Sequence, residues 1–349
     1  MQTQYFAIGL MSGTSLDGLD LCYAKFVFSE NWSFEIIHTE TIPYSTDWHN
    51  KLKNAVTLSA EDLIALDKEY GFFLGQKTLE FIEKNKIKDI DLIASHGHTV
   101  FHQPQRKFTL QIGDGRAIKL RTGIETFYDF RSQDVLMGGN GAPLVPIGDE
   151  LLFSKYDACL NLGGFSNISF KQNEKRIAFD ISPVNIVLNH LAEKLGKPYD
   201  QEGLIAKKGK VNIEILAELN ALSFYQQNPP KSLGSEWVFE SIFPFIKNDT
   251  IENLIATFTE HVASQIAAVT NEYGLNNVLV TGGGAYNTYL IESIQKKTNT
   301  QFILPAPQII EYKEALIFAF MGVLRSRNEI NVLSSSTGSS KDHSAGLQV

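Results

Sequence analysis

Gly9-Leu10-Met11-Ser12-Gly13-Thr14-Ser15-Leu16-Asp17-Gly18-Leu19-Asp20 follows directly on the apolar, strand-like run Tyr5-Phe6-Ala7-Ile8. A strand that runs into a glycine turn rich in hydroxyls leaves bare backbone N–H groups at its end, where α/β proteins hold phosphates. Two distant stretches repeat the arrangement. NLGGFSNI at 161–168 follows Asp157-Ala158-Cys159-Leu160, and TGGGAYN at 281–287 follows Asn277-Val278-Leu279-Val280. Three such turns suggest a nucleotide clamped between two domains, as in a kinase or a relative of one.

Composition sets bounds on this reading. A chain of 349 residues is long enough for two domains, and 43% hydrophobic residues suffice for sizeable cores. A net charge of −8 gives no footprint for nucleic acid or an acidic membrane surface. Cys22 and Cys159, the two cysteines, lie in apolar runs and read as buried thiols of a reducing compartment. The start lacks a basic segment followed by a long apolar run, and no stretch approaches a spanning helix, so the expected location is the cytoplasm.

Residues 5–10, 19–28 and 33–41 read as strands, and 46–56 and 60–86 as helices. A strand over 91–95 ends at His96-Gly97-His98-Thr99, and another covers 108–112. Gly138-Gly139-Asn140-Gly141 reads as a hinge. Strands follow near 158–162, 166–171 and 175–180, then helices at 184–196 and 210–220. Ile251 to Tyr273 carries one apolar stripe and is the clearest helix. A strand over 277–281 and a helix from Tyr312 to Arg325 precede a serine-rich, loop-like tail at 334–340. No repeat of fixed period is visible. Strands alternating with helices imply α/β layers, with an antiparallel portion near the start.

Each motif has a plainer alternative. The turn after Ile8 is no P-loop, because GxxxxGK[ST] is absent, and its hydroxyls could instead serve the local backbone. Gly282-Gly283-Gly284 fails GxGxxG, because Asn287 stands where the third glycine belongs. In Phe179-Asp180-Ile181-Ser182-Pro183, Asp180 or Ser182 could cap a helix starting at Pro183, or Asp180 could act as a general base. His96, His98 and His102 lack the partners of a zinc set, so polar contacts are preferred and no metal ligand is assigned among the side chains. Arg131 and Asp134 could bind a polyol or form a local ion pair.

The ordered set of motifs resembles the anhydro-N-acetylmuramic acid kinase family along nearly the whole chain. It comprises GLMSGTSLDGLD (9–20), SHGHTVFHQ (95–103), QIGDG (111–115), DFRSQD (129–134), GGNGAPLVP (138–146), NLGGFSNIS (161–169), FDISPVN (179–185), PPKSLGSE (229–236), TGGGAYN (281–287) and Glu314-Ala315. Departures from the family pattern are His98 for Gln, Asn140 for Gln, Val184 for Gly, and Ser235 for a basic residue. The resemblance implies an α/β fold of two actin/hexokinase-like (ribonuclease H-like) domains with a deep cleft. The expected domains are 1–133, with 328–349 returning to it, and 134–327.

The implied reaction opens the 1,6-anhydro ring of anhydro-N-acetylmuramic acid with water and phosphorylates O6 from ATP, with Mg²⁺, in cell-wall recycling. By the same resemblance Asp180 is the catalytic base. Ser12, Gly13, Thr14, Ser15, Asp17, Gly18, Asp20, Gly163, Gly164, Gly282, Gly283 and Gly284 surround the nucleotide. His96, Gly97, Arg131, Asp134, Asn185 and Glu314 contact the sugar. A homodimer is consistent with the resemblance. Another sugar kinase of the superfamily, and a nucleotide-binding relative without activity, stay open as alternatives.

Overall fold

The computed structural model describes residues 3–13 and 16–349. Its strands are β1 (Gln4–Ser12), β2 (Gly18–Phe28), β3 (Trp32–Pro43), β4 (Leu92–Gln103), β5 (Phe108–Ile112), β6 (Thr126–Tyr128), β7 (Ala158–Leu162), β8 (Phe165–Gln172), β9 (Lys175–Pro183), β10 (Asn277–Thr281), β11 (Gln301–Ile303) and β12 (Leu347–Gln348). The chain divides into two compact units. The first holds residues up to Leu152 together with Tyr312–Val349, and the second is Phe153–Glu311.

In the first unit the sheet order is β12-β6-β4-β1-β2-β3, with β5 paired to β4. β1, β2 and β3 form an antiparallel meander, while β4 lies parallel to β1 and β6 parallel to β4. The Ala60–Asn85 helix covers one face. Ser59 caps its start by accepting from the Asp62 N–H, and Lys86 in the left-handed region ends it. Its Leu63, Leu66, Tyr70, Leu74 and Phe81 pack with Ile8, Leu10, Leu21 and Ile93 of the sheet into one core. Phe320, from the Pro307–Ser326 helix, packs against Phe26 and Trp32 of β2 and β3.

The second unit repeats the plan. Its sheet order is β9-β8-β7-β10-β11. β7, β8 and β9 form the meander, and β10 and β11 are the parallel strands. The Ile251–Glu272 helix, capped by Thr250, buries Leu254, Ile255, Phe258, Val262 and Ile266 in this core. With the β5 hairpin arm and the short β12 set aside, β3-β2-β1-β4-β6 of the first unit matches β9-β8-β7-β10-β11 of the second, the expected ribonuclease H-like arrangement. The α/β class stands, with one sheet per unit.

Several local expectations change. β4 continues past Ser95 to Gln103, because its second half pairs antiparallel with β5. The three histidines therefore lie on a strand. β9 runs through Pro183, and the next helix starts at Asn185 with no side-chain cap, so neither Asp180 nor Ser182 caps it. Ser182 is buried against Ser166 instead. The helix expected from Tyr312 begins at Pro307.

The serine-rich tail contains a short helix, Ser334–Thr337, and buries Thr337 and Ser339. The glycine crossing at 138–141 is pinned within the first unit, where the N–H groups of Gly139 and Gly141 reach Asp134 and that of Asn140 reaches the Thr337 carbonyl. The compact units divide at 152/153 and 311/312. The buried Lys313–Asp149 ion pair at 2.6 Å ties the two segments of the first unit together. Among the described residues no helix is long and apolar enough to cross a membrane.

Candidate functional site

Asp180 lies near the end of β9, opposite Asn167 of β8. The segment after Pro229-Pro230 clasps it. The Asp180 N–H donates to the Lys231 carbonyl at 3.1 Å, and the Leu233 N–H donates to Asp180 Oδ2 at 2.8 Å. Lys231 anchors this clasp by donating to the Phe224 carbonyl and lying over the Phe224 ring. Asp180 Oδ1 makes no hydrogen bond to a described residue. Burial raises the carboxyl above its ordinary range, and the Leu233 N–H partly offsets this. A half-buried carboxylate with one oxygen held and the other open, its basicity increased, is suited to general-base work. Sequence reading quoted PPKSLGSE but missed that its backbone orients Asp180. A run that follows two prolines without forming a regular element was the available signal.

The two glycine turns of this unit lie side by side because β7 and β10 are parallel neighbours, with Thr281 in register with Asn161. Gly282 adopts φ +83, and a Cβ there would come 2.6 Å from Asn161 Oδ1, so only glycine fits. The N–H groups of these glycines have different uses. Gly282 donates to the Ile310 carbonyl and Gly163 to the Phe165 carbonyl. The N–H groups of Gly164, Gly283 and Gly284 have no partner among the described residues. The adjacent N–H groups of Gly283 and Gly284 are left available to an anion. Asn185, expected to contact sugar, turns its amide toward the Leu162 carbonyl at 3.3 Å and its backbone N–H toward Gly163. It staples the turns together. Val184 has negative φ and donates to the Gly164 carbonyl, so this position does not require glycine.

A cavity of about 460 Å³ adjoins the Gly283–Tyr286 turn. Ala285, Tyr286, Ile291 and Leu304 give it apolar walls, and Glu202, Glu292 and Gln295 a polar rim.

In the first unit, Thr14 and Ser15 lie outside the described residues. Ser12 ends β1 and is buried. Gly13 accepts from the Leu16 N–H across the turn at 3.4 Å. Gly18 sits tight under the Ile42 carbonyl, which explains it by packing alone. Asp17 is exposed, and Asp20 accepts from the Thr41 hydroxyl at 2.6 Å.

On β4, His96 Nδ1 lies 2.8 Å from the Gly97 carbonyl, and Arg131 Nε donates to His96 Nε2 at 2.9 Å. The ring is therefore the Nδ1–H tautomer. Burial, helped by Arg131, holds its pKa well below the ordinary value, so it is neutral. Burial also brings the Arg131 guanidinium down to about 10, opposed by Glu314 and Asp134. Arg131 remains a cation at neutral pH. Glu314 keeps exposed surface, yet desolvation raises its carboxyl, opposed by Arg131 and Lys313. His96, Gly97, Arg131 and Glu314 thus form one polar group with charges of both signs.

Asp134 is not part of that open surface. It is fully buried, accepting from Thr337 Oγ1 and the Gly141 N–H, both at 2.7 Å. Its role in the fold is to tie the C-terminal segment to the 138–141 loop. Among the described residues no group of three or more His, Cys, Asp or Glu is arranged to hold a metal ion.

A strand order used twice, with glycine turns at the carboxyl ends of its parallel strands, defines a duplicated α/β protein of the ribonuclease H-like class. The family profile for anhydro-N-acetylmuramic acid kinase matches residues 4–348. The chain is 34% identical to the anhydro-N-acetylmuramic acid kinase of Mannheimia succiniciproducens, over 99% of each sequence. It is 33% identical to that of a Bacillus cereus strain, over 94% of each. Among solved structures it is similar to a ROK family glucokinase from Streptomyces griseus in complex with glucose and AMPPNP. That likeness has a TM-score of 0.43 and 11% identity, covering 90% of this chain and 98% of the other. The chain belongs to the anhydro-N-acetylmuramic acid kinase family.

Proposed function

We propose that this protein hydrolyses the 1,6-anhydro bond of anhydro-N-acetylmuramic acid and transfers the γ-phosphoryl group of ATP to O6, yielding N-acetylmuramic acid 6-phosphate in the cytoplasm during cell-wall recycling. The observation that carries this reading, beside family membership, is Asp180, with one oxygen held by Leu233, the other open, and its pKa raised. Asp180 takes a proton from water as the water oxygen bonds to C1. The C1–O6 bond breaks, O6 bonds to the γ-phosphorus, and ADP leaves. Holding the reactants in line supplies much of the rate in such transfers.

The unpaired N–H groups of Gly283 and Gly284 suit the nucleotide phosphates, and the adjoining cavity suits the nucleoside. The His96–Arg131–Glu314 group suits the polar sugar and its carboxylate. Mg²⁺ fits a site with no cage of side chains among the described residues, because this ion is commonly held by substrate phosphates, waters and one or two carboxylates. Asp17 of the β1–β2 turn and Asp20 of β2 are the carboxylates that would hold it through water. It would neutralise developing phosphate charge.

The test is phosphorus NMR of the protein with Mg-ATP and the anhydro sugar, beside Asp180→Asn. The parent gives a sugar 6-phosphate signal and the variant gives none. ATP left intact by folded parent protein sinks the proposal, and a panel of ordinary hexoses then tests for a different sugar kinase.

A further inference from the structure

Four side chains from separate parts of the first unit form one hydrogen-bonded chain at the end of β1. The Tyr44 and Tyr70 hydroxyls lie 2.6 Å apart, Tyr44 donates to Ser12 Oγ at 2.8 Å, and Ser12 Oγ lies 3.0 Å from His98 Nδ1. Tyr70 is fully buried, Ser12 is 2% exposed and His98 4% exposed. Burial raises both phenols, so they stay protonated, and brings His98 down to about 4, so its ring is neutral at pH 7.

The direction of this chain follows from counting protons. Tyr44 spends its proton on Ser12, so Tyr70 donates to Tyr44. Ser12 has one proton. If His98 Nδ1 carried a hydrogen it would also donate to Ser12, and the Ser12 proton would have to turn back to Tyr70, itself the donor to Tyr44. With Ser12 donating to His98 Nδ1, every proton has an acceptor, and aligned bonds of this kind reinforce one another. His98 is then the Nε2–H tautomer, opposite to its neighbour His96. Its Nε2 has no partner among the described residues although the ring is nearly buried.

We propose that His98 is a ligand-facing, neutral hydrogen-bond donor, poised by the Tyr70–Tyr44–Ser12 hydroxyls to present Nε2–H to an oxygen acceptor of the bound substrate, either a phosphoryl oxygen or a sugar hydroxyl. Ser12 then contributes through His98, since its own proton is committed. The inference rests on the kinase reading only for the identity of the ligand.

The first test needs no turnover. Long-range ¹H–¹⁵N correlation on ¹⁵N-histidine protein, with the His98 signals assigned through H98Q, should show protonated Nε2 and bare Nδ1 at pH 7. Protonated Nδ1, or an imidazolium, overturns the proposal. Tyr44→Phe should shift His98 toward a mixture of tautomers, and an unchanged spectrum removes the relay. The second test compares KM for ATP and for the anhydro sugar. H98F should raise one of the two about three- to tenfold, the usual cost of one hydrogen bond, and H98Q, which keeps an N–H donor, should restore most of it. The constant that moves identifies the acceptor. If H98F folds and both constants stay within twofold, His98 faces no ligand. If the parent shows no phosphoryl transfer while the tautomer is as expected, the functional reading fails, and a shift of Nε2–H on titrating ADP or the sugar decides the donor role.

Discussion

At Asp180 the two carboxylate oxygens have different tasks, and this gives a prediction for the residue scale. Burial holds the pKa above the ordinary aspartate value of 3.8, so the acid limb of kcat/KM lies above that value. Leu233→Pro deletes the N–H that lowers this pKa. The limb of Leu233→Pro moves to still higher pH, and a pH profile with circular dichroism as a folding control reads the shift. An unmoved limb would mean that Asp180 is not the titrating base. The residues around Asp180 left it between a helix cap and a general base, and only the family resemblance favoured the base. Sequence alone could not find Leu233, which acts through its backbone, or Tyr44 and Tyr70, whose hydroxyls meet Ser12 only once the Ala60–Asn85 helix packs on the sheet. The Thr337 partner of Asp134 was hidden for the same reason, since it lies 203 positions away in sequence.

Among the elements, the glycine turns and the Pro307–Ser326 helix give opposite predictions for the same substitution. A Cβ on Gly283 would meet nothing closer than Asn185 Nδ2 at 3.9 Å. Gly283→Ala therefore leaves stability within about 0.5 kcal/mol, as substitutions away from packed features do, and weakens nucleotide binding where the phosphate approaches the backbone. Calorimetric titration with ADP measures the binding, and unchanged affinity would remove Gly283 from the phosphate site. A Cβ on Gly9 would lie 1.8 Å from the Ala315 carbonyl oxygen, so the helix could not seat on β1. Gly9→Ala should cost about 3 kcal/mol, at the upper end for overpacking, visible as a lowered urea midpoint. Most strands and the Ala60–Asn85 and Ile251–Glu272 helices were readable from the period of their apolar residues. The second half of β4 was not, because His96-Gly97-His98 lacks an apolar alternation and its strand character comes from pairing with β5.

For the whole molecule, three buried neutral histidines set a pH dependence of stability. His98 titrates at about 4, His261 at about 3, and His96 well below its ordinary value, each chiefly because burial disfavours the cation. Between these values and about 6.5 the unfolded chain binds more protons than the folded one, so stability is full above pH 6.5 and falls as the pH drops toward 4. Asp180 and Glu314, raised in the folded state, oppose the trend over the carboxylate range. Melting temperatures should fall from pH 7 to pH 5, and His261→Asn should flatten the slope. The duplicated strand order was not legible in the sequence. The stretch joining the third and fourth strands runs over 44–91 in one unit and 184–276 in the other, which leaves no common period. Yet that layout governs how the polypeptide is born. The second unit is continuous, whereas the first is interrupted by it, and β6 gains its β12 partner only at Leu347–Gln348. At about 5–20 residues per second, ribosomes need roughly 10–30 s to make the inserted stretch. During that interval the nascent first unit lacks its Pro307–Ser326 cover and the Thr337 partner of Asp134, so the inserted unit can mature before the one that starts first.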